Sequence, residues 1–546
     1  MSIKQYSSFS TKNTPQSEKI PGRNDQVKNN AGGYVFQVND WQLLDRFLIL
    51  GTDAPTYYVG QKELFKKAAD CVIRCIKEDG IRVVKRIVEI SDQGRAPKND
   101  PAIFALAMST SSQFADKETR KFAFESLDKV CRIGTHLFHF CAFREQFGGW
   151  GRGMRKAIAN WYTSKEPNKL AYQIIKYQQR DGFSHRDLLR LSHPEHRPLF
   201  NYIVKGEDAI RNVRNNGDPL VFNRSFDTFL KELCPPIIHT FEQAKKAKSD
   251  KEIIGYIKQG LPREAIPTEF LTKPKVWEAL LEKMPMTAMI RNLATMTKIG
   301  LIAPMSDASN LVIDRLHDVE RLSKARIHPI QILIALKTYQ QGRGIRGKGE
   351  WTPVPQVIDA LDDAFYLCFK NVEPTNKRIL IGLDVSGSMG GNYVSGIPNL
   401  SAREASVAMC MLTAKTENKW GIMAFTDKFI KLTISPKQRL DDILRMTANL
   451  NFGRTDCALP MLYAIKNNIK VDCFIIYTDN ETWYGNIHPV QALKQYRQKM
   501  GIDAKLIVNG MVCNNVSIAD PKDNGMMDVV GFDSAAPLIM SNFMRG

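Results

Sequence analysis

The chain of 546 residues has no apolar stretch near the ~20 residues that a membrane-spanning helix needs, which points away from an integral membrane protein. Its opening, MSIKQYSSFSTKNTPQSEKIPGRNDQVKNNAGG, lacks the apolar core of a secretory signal. The same stretch holds one arginine and no amphipathic apolar face, which argues against a mitochondrial leader. Polar, basic and rich in Ser, Asn and Gln, residues 1–32 read as a disordered basic tail. None of the ten cysteines forms a C-x-x-C pair, and most lie inside apolar segments. That pattern fits buried reduced thiols better than disulfides or zinc ligands. The expectation is a reducing compartment: the cytoplasm, with the nucleus as a second location.

The composition is that of a soluble globular protein, 43% hydrophobic and 24% charged, and too long for one core. The formal charge of +19 is unevenly placed. Residues 373–546 hold 19 Lys+Arg against 16 Asp+Glu, so residues 1–372 hold 57 against 41, a net +16. A basic N-terminal two thirds suggests a polyanionic partner, nucleic acid before an anionic membrane. A merely soluble basic surface is the plain alternative.

Two architectures divide the chain. From about Trp41 to about Phe369, apolar residues recur at helical spacing and strand-like alternation is nearly absent. Leu64, Phe65, Ala68, Ala69, Val72, Ile73 and Ile76 share one face. Pro101, Pro329 and Pro355 suit first turns of helices. Many short amphipathic helices in series suggest stacked helical pairs, an α-solenoid of the HEAT or armadillo type, although no clean fixed-period repeat is visible. From Lys377 onward, strand-like RILIGLDVS, KWGIMAF, VDCFIIYTD and AKLIVNGMV alternate with helix-like segments. Continuously apolar strands alternating with helices mean a parallel sheet covered on both faces, an α/β doubly wound unit. Glu373-Pro374-Thr375 reads as the seam, giving domains 33–372 and 373–546.

The first strand of that unit runs into Asp384, Ser386 and Ser388, spaced two apart (RILIGLDVSGSMGG, 378–391). Short oxygen-bearing side chains leaving a sheet end at this spacing can converge on one point. Oxygen ligands suit a hard divalent cation, Mg²⁺ first. A polar turn without metal is the alternative on these residues alone. No nucleophile–base pair accompanies them, so no hydrolase is read.

D-x-S-x-S after the first strand resembles the metal-ion-dependent adhesion site of von Willebrand factor A domains. The resemblance implies two further ligands, Thr455 in GRTDCALP and Asp479 in FIIYTDNE, and an open position for a partner's carboxylate. Arg454 departs from the pattern, since many members carry Gly before the Thr. In the helical part, KYQQRDGFSHRDLLRLSH (176–193), WGRGMRKAIANWY (150–162), MPMTAMIRNL (284–293), ARIHPIQILIALKTY (325–339) and CRIGTHLFHF (131–140) resemble the TROVE module. TDNET (478–482) and IADP (518–521) fit the same family near the end. A TROVE module with a C-terminal A domain is the combination of the SS-A/Ro ribonucleoprotein family, and the likeness runs from about Gly33 onward.

That resemblance implies a ring of HEAT-like repeats joined by the A domain, without catalysis. It also implies binding of Y RNAs on an outer basic surface. Misfolded small noncoding RNAs, such as 5S rRNA precursors, would thread single-stranded 3′ ends through the ring. Lys176 and Arg180 read as four apart on one exposed helix face, a solvated basic stripe by default. The family places them, with His193, on its RNA-contacting surface. His185 reads as local, because Ser184 and Asp187 fit a capping box. QGRGIRGKG (341–349) reads as a flexible loop or an RNA backbone clamp, and Trp150 and Trp161 as core. The competing reading of the whole is a metal-dependent protein-interaction adaptor without RNA.

Overall fold

Helix after helix follows Asp40 because apolar side chains keep returning to one face. The computed structural model describes residues 13–50, 61–96, 98–209, 234–325, 327, 329–344, 349–368, 373–391, 400–448, 450, 453–511, 515–530 and 536–545. The expected start signals hold: Pro101 lies in the first turn of Asp100–Ser109, and helices Pro329–Gln340 and Pro355–Leu367 begin on their prolines. Helix Asp100–Ser109 is buried from Pro101 to Ser109, packed between Gln61–Gln93 and Gly134–Glu145. Further along, Arg152–Thr163 packs on His185–Ser192, and Asp307–His317 on Pro355–Leu367. Each helix thus covers near neighbours in sequence, which is how a solenoid buries a continuous core. Val72 and Ile76 are buried as expected; the side chains of residues 61–69 lie outside the described set.

Eleven strands complete the described structure: β1 (Gln26–Lys28), β2 (Tyr34–Gln37), β3 (Gln179–Arg180), β4 (Phe183–Ser184), β5 (Ile379–Asp384), β6 (Trp420–Phe425), β7 (Phe429–Lys431), β8 (Cys473–Thr478), β9 (Lys505–Gly510), β10 (Val516–Ser517) and β11 (Met526–Val530). The large sheet has the order β11-β9-β8-β5-β6-β7, parallel except for β7. Its faces alternate with period two. Ile379, Ile381 and Leu383 meet helix Ala402–Thr416 and the helical core. Leu380 instead joins Phe474, Leu506 and helices Leu459–Lys466 and Pro489–Met500. Gly382 in β5 is required by close approach, since a Cβ there would stand 2.7 Å from Pro460.

Both ends of the helical array meet this unit. At one end Arg46, on helix Asp40–Leu50, is fully buried and donates to Asp528 at 2.7 Å and to the Val516 carbonyl at 3.1 Å. At the other, Lys337 pairs with Glu404, Arg439 with Asp359, and the Lys415 ammonium lies 3.9 Å from the Tyr366 ring. The helices therefore close into a ring through the α/β unit.

The disordered tail expected for residues 1–32 is corrected over residues 13–32; residues 1–12 lie outside the described set. β1 and β2 form an antiparallel sheet with β10, and Arg23 forks onto Asp520 at 2.5 and 2.6 Å and onto Asp25 at 2.8 Å. The segment is polar because its partners are polar, not because it lacks them. No described helix is long and apolar enough to cross a membrane, and no described cysteine forms a disulfide.

Candidate functional site

The α/β unit changes winding direction between β5 and β8: the chain leaves β5 toward β6 and leaves β8 toward β9. Ligands of open parallel sheets bind at such a switch point, outside the carboxyl ends of the strands. Asp384 ends β5 there and is fully buried. Its Oδ1 accepts the Ser386 N–H at 2.9 Å and its Oδ2 accepts the Thr478 hydroxyl at 2.7 Å. The chain then enters a short helical turn, Gly387–Gly391, that brings the Ser386 and Ser388 hydroxyls within 3.1 Å of each other. Ser388 is exposed and Ser386 buried, so the pair spans from interior to rim. Asp479 follows β8 directly and is buried, as is Thr455 on the loop before helix Leu459–Lys466.

Burial, then repulsion from Asp479, pushes the Asp384 carboxyl well above the usual carboxylate range. Two buried carboxylates that repel, with the paired Ser386 and Ser388 hydroxyls beside Asp384 and Thr455 on a loop bonded to the one after Asp479, offer an all-oxygen donor set. Such a set fits Mg²⁺, whose charge would reverse the repulsion. Arg454 is exposed, and its guanidinium lies 4.9 Å from the Tyr484 ring centre and 5.6 Å from that of Trp483. It is drawn to that aromatic pair, which the sequence reading did not anticipate.

The second set of residues lies on the helical ring. Lys176 is the last residue of helix Pro167–Lys176, and Arg180 stands on β3 of a small antiparallel hairpin with β4. The expectation of one helix face carrying both is therefore corrected. Asp181-Gly182 has φ of +51° and +82°, the two left-handed positions of a tight hairpin turn, for which Asp-Gly is a strong signal. Arg180 is exposed, its side chain 63% accessible. Lys176 is half-buried instead, its ammonium 5.5 Å from the ring centres of both Tyr172 and Tyr177. Burial works against that charge, but Tyr177, Tyr172 and Glu264 outweigh it and raise the Lys176 pKa. The Ser184–Asp187 capping box is present, and His185 is buried with Nδ1 2.8 Å from the Tyr162 hydroxyl. His193 is exposed in a left-handed conformation, φ +48°, closing helix His185–Ser192 before Pro194. Eight helical residues, about 12 Å of rise, separate it from the hairpin. A ligand touching the hairpin and His193 together would run along this helix.

Arg186 and Arg190 were missed as candidates. They are exposed four residues apart on the helix that ends at His193, and Arg155 and Lys156 are exposed on the helix packed against it. Among the described residues none of the four has an ion-pair partner. The i, i+4 arginines in HRDLLRLS, opposite Leu188 and Leu189, were the available signal. Trp161 is core, its indole donating to the Cys131 carbonyl at 2.6 Å, whereas Trp150 is only half-buried and pairs with Glu145. In the 341–349 loop, Arg343 bridges to Glu350 in antiparallel fashion, and residues 345–348 lie outside the described set.

With this geometry in hand, the comparisons with known proteins are direct. The TROVE domain model matches residues 27–252 and 256–338, and the Ro60 vWA domain model matches residues 378–544. An RNA-binding protein RO60 of Deinococcus radiodurans is 40% identical over 541 residues, covering 98% of both chains. One from Caenorhabditis elegans is 39% identical over 594 residues, covering 97% of this chain and 91% of its own. The crystal structure of the Deinococcus radiodurans RO (RSR) protein superposes with a TM-score of 0.69 at 38% identity, over 93% of this chain and all of that one.

Proposed function

The chain belongs to the Ro family, a TROVE ring joined to a von Willebrand A domain, and from that premise we propose that it is an RNA-binding protein that acts without catalysis. The observation that carries the reading is the basic face of the TROVE ring. Arg180, Arg186, Arg190, Arg155 and Lys156 stand exposed on a hairpin and two packed helices, within the N-terminal two thirds of the chain, residues 1–372, with net charge +16. Exposed cations held on rigid elements suit phosphate contacts, which position an RNA without reading its sequence. The ligands we propose are Y RNAs along this face, and misfolded small noncoding RNAs, such as 5S rRNA precursors, whose single-stranded 3′ ends enter the ring. The role is noncoding-RNA quality control and ribonucleoprotein assembly. The free thiols fit the cytoplasm, with the nucleus as a second location.

At the metal centre, Asp384, Ser386, Ser388, Thr455 and Asp479 would hold Mg²⁺. The ion would supply a Lewis-acidic position for a carboxylate of a partner protein. The test is filter binding of a structured RNA carrying a single-stranded 3′ tail, against the same RNA with a blunt end, across a salt series. Tight, steeply salt-dependent binding that favours the tail is expected, because each phosphate contact adds to the salt slope and only a single strand suits a narrow passage. Binding that is weak and flat in salt would instead favour the protein-interaction adaptor. Equal affinity for tailed and blunt RNA would remove threading alone.

A further inference from the structure

The metal centre draws its ligands from three loops, and a segment far away in sequence crosses two of them. Gln16 is fully buried. Its Nε2 donates to Asp456 Oδ1 at 2.6 Å, and its Oε1 accepts the Thr482 hydroxyl. Asp456 directly follows Thr455, and Thr482 lies three residues after Asp479. One amide therefore ties the side chains of both outer ligand loops. The loops also meet through their backbones, since Trp483 and Tyr484 N–H groups donate to the Thr455 carbonyl at 3.2 and 3.1 Å. Gln16 adds a clamp between side chains, where backbone bonds do not reach.

Asn29 makes a second tie. Its Nδ2 donates to the carbonyls of Asn480 at 3.1 Å and Thr482 at 2.7 Å, while its Oδ1 accepts the Gly33 N–H at 2.8 Å. Asn480, next to the ligand Asp479, is held at φ +65°, a left-handed conformation that costs a non-glycine residue energy and needs support. Gly33 lies flat against the same loop: a Cβ there would collide with the Thr482 carbonyl. Asn30 and the Ala31 N–H both reach Glu481 at 3.0 Å. Four successive residues, 480–483, are thus backed or flanked by a strap that arrives from more than 440 positions away.

We propose that residues 13–37 are a strap that positions the outer half of the metal centre, with Gln16 and Asn29 as its positioning residues. The proposal rests on the cation reading of that centre. It has a consequence for the whole ring. β2 leads within three residues into helix Asp40–Leu50, whose Arg46 closes the ring on Asp528. The ligand loops are held in their binding arrangement when this end of the ring has docked, so Mg²⁺ favours ring closure, as any ligand stabilises the state that binds it better.

The experiment uses the full-length protein: Mg²⁺ titration by calorimetry on wild type, Asp384→Ala, Gln16→Leu and Asn29→Ala. Amide hydrogen exchange of residues 455–458 and 480–485 is measured without the metal. Removing a group that orients ligand loops is expected to weaken Mg²⁺ binding about tenfold, the low end for such outer contacts. Exchange in those two loops should quicken in both strap variants. RNA affinity should not move, because neither residue lies on the basic face. Unchanged Mg²⁺ affinity and unchanged loop exchange in both variants, with wild type binding normally, would overturn the strap alone. Wild type that binds no Mg²⁺ would overturn the cation reading, and the strap's purpose with it. A Gln16→Leu protein that fails to fold leaves Asn29→Ala, at the edge of the same contact, to decide.

Discussion

Lowering the pH should loosen the basic face through one buried histidine. His185 opens helix His185–Ser192 and is packed against Phe138, Tyr162 and Trp161, with ring centres 4.8, 5.8 and 6.5 Å away. Burial pushes its pKa from 6.5 down to about 4, and the backbone of Tyr177 and Gln173 offsets this only in part. The imidazole therefore stays neutral when folded but takes a proton when unfolded at pH below 6.5. Stability is intact above that value and is lost as the pH falls toward 4. At pH 5 the unfolded chain is favoured by RT ln[(1 + 10^1.5)/(1 + 10^−1)], about 2 kcal/mol, and at pH 7.5 by almost nothing. His185→Gln keeps an amide that can hold the Tyr162 hydroxyl and does not titrate. The assay is amide exchange of residues 185–193, with urea unfolding alongside, at pH 7.5 and pH 5.0 in both proteins. Between the two conditions, wild type should lose about 2 kcal/mol more than the variant, because other acid-sensitive groups are shared and cancel. Parallel pH profiles would refute the reasoning.

Asp384→Ala should abolish Mg²⁺ binding in calorimetry while the circular dichroism spectrum is preserved; retained binding would remove Asp384 from the ligand set. Lys176→Ala and Arg180→Ala should both weaken RNA binding, each lowering the salt slope by about one unit. Their thermal melts should differ, however. Arg180 is exposed, so its loss should change stability by less than about 0.5 kcal/mol. Lys176 loses contact with two tyrosine rings and should cost about 0.5–1 kcal/mol. His193→Ser should weaken RNA binding in the same direction, read in the same salt series. Arg454→Gly should leave Mg²⁺ affinity within twofold by calorimetry, since the guanidinium rests on Tyr484 and Trp483; a marked gain in affinity would show that the arginine crowds the site.

How far the sequence disclosed this molecule depended on how local each device is. Asp384, Ser386 and Ser388 sit within five residues at a strand end, so their convergence was readable from spacing. Thr455 and Asp479 came from the family pattern. The Ser184–Asp187 box and the helix-starting prolines were legible for the same local reason. Arg180 was misplaced because helical spacing was carried from Lys176 up to Asp181-Gly182, whose preference for a tight hairpin turn instead puts Gln179 and Arg180 on a strand. The burial of Lys176 had a signal too: Tyr172 and Tyr177 lie four and one residues away. Residues 13–32 had none. Their polar composition is that of a disordered tail, and the groups that satisfy them (Asp456, Thr482, Asp520) are more than 400 positions distant, where no periodicity can point.

The most direct test of the central claim is to purify the full-length protein from its own cells and sequence the RNA that comes with it, beside a variant in which Arg180, Arg186 and Arg190 are changed to alanine. Small structured noncoding RNAs with single-stranded 3′ ends should be enriched on the wild type and depleted on the variant. Recovery of no RNA above background, or of the same RNA on both proteins, would contradict the account.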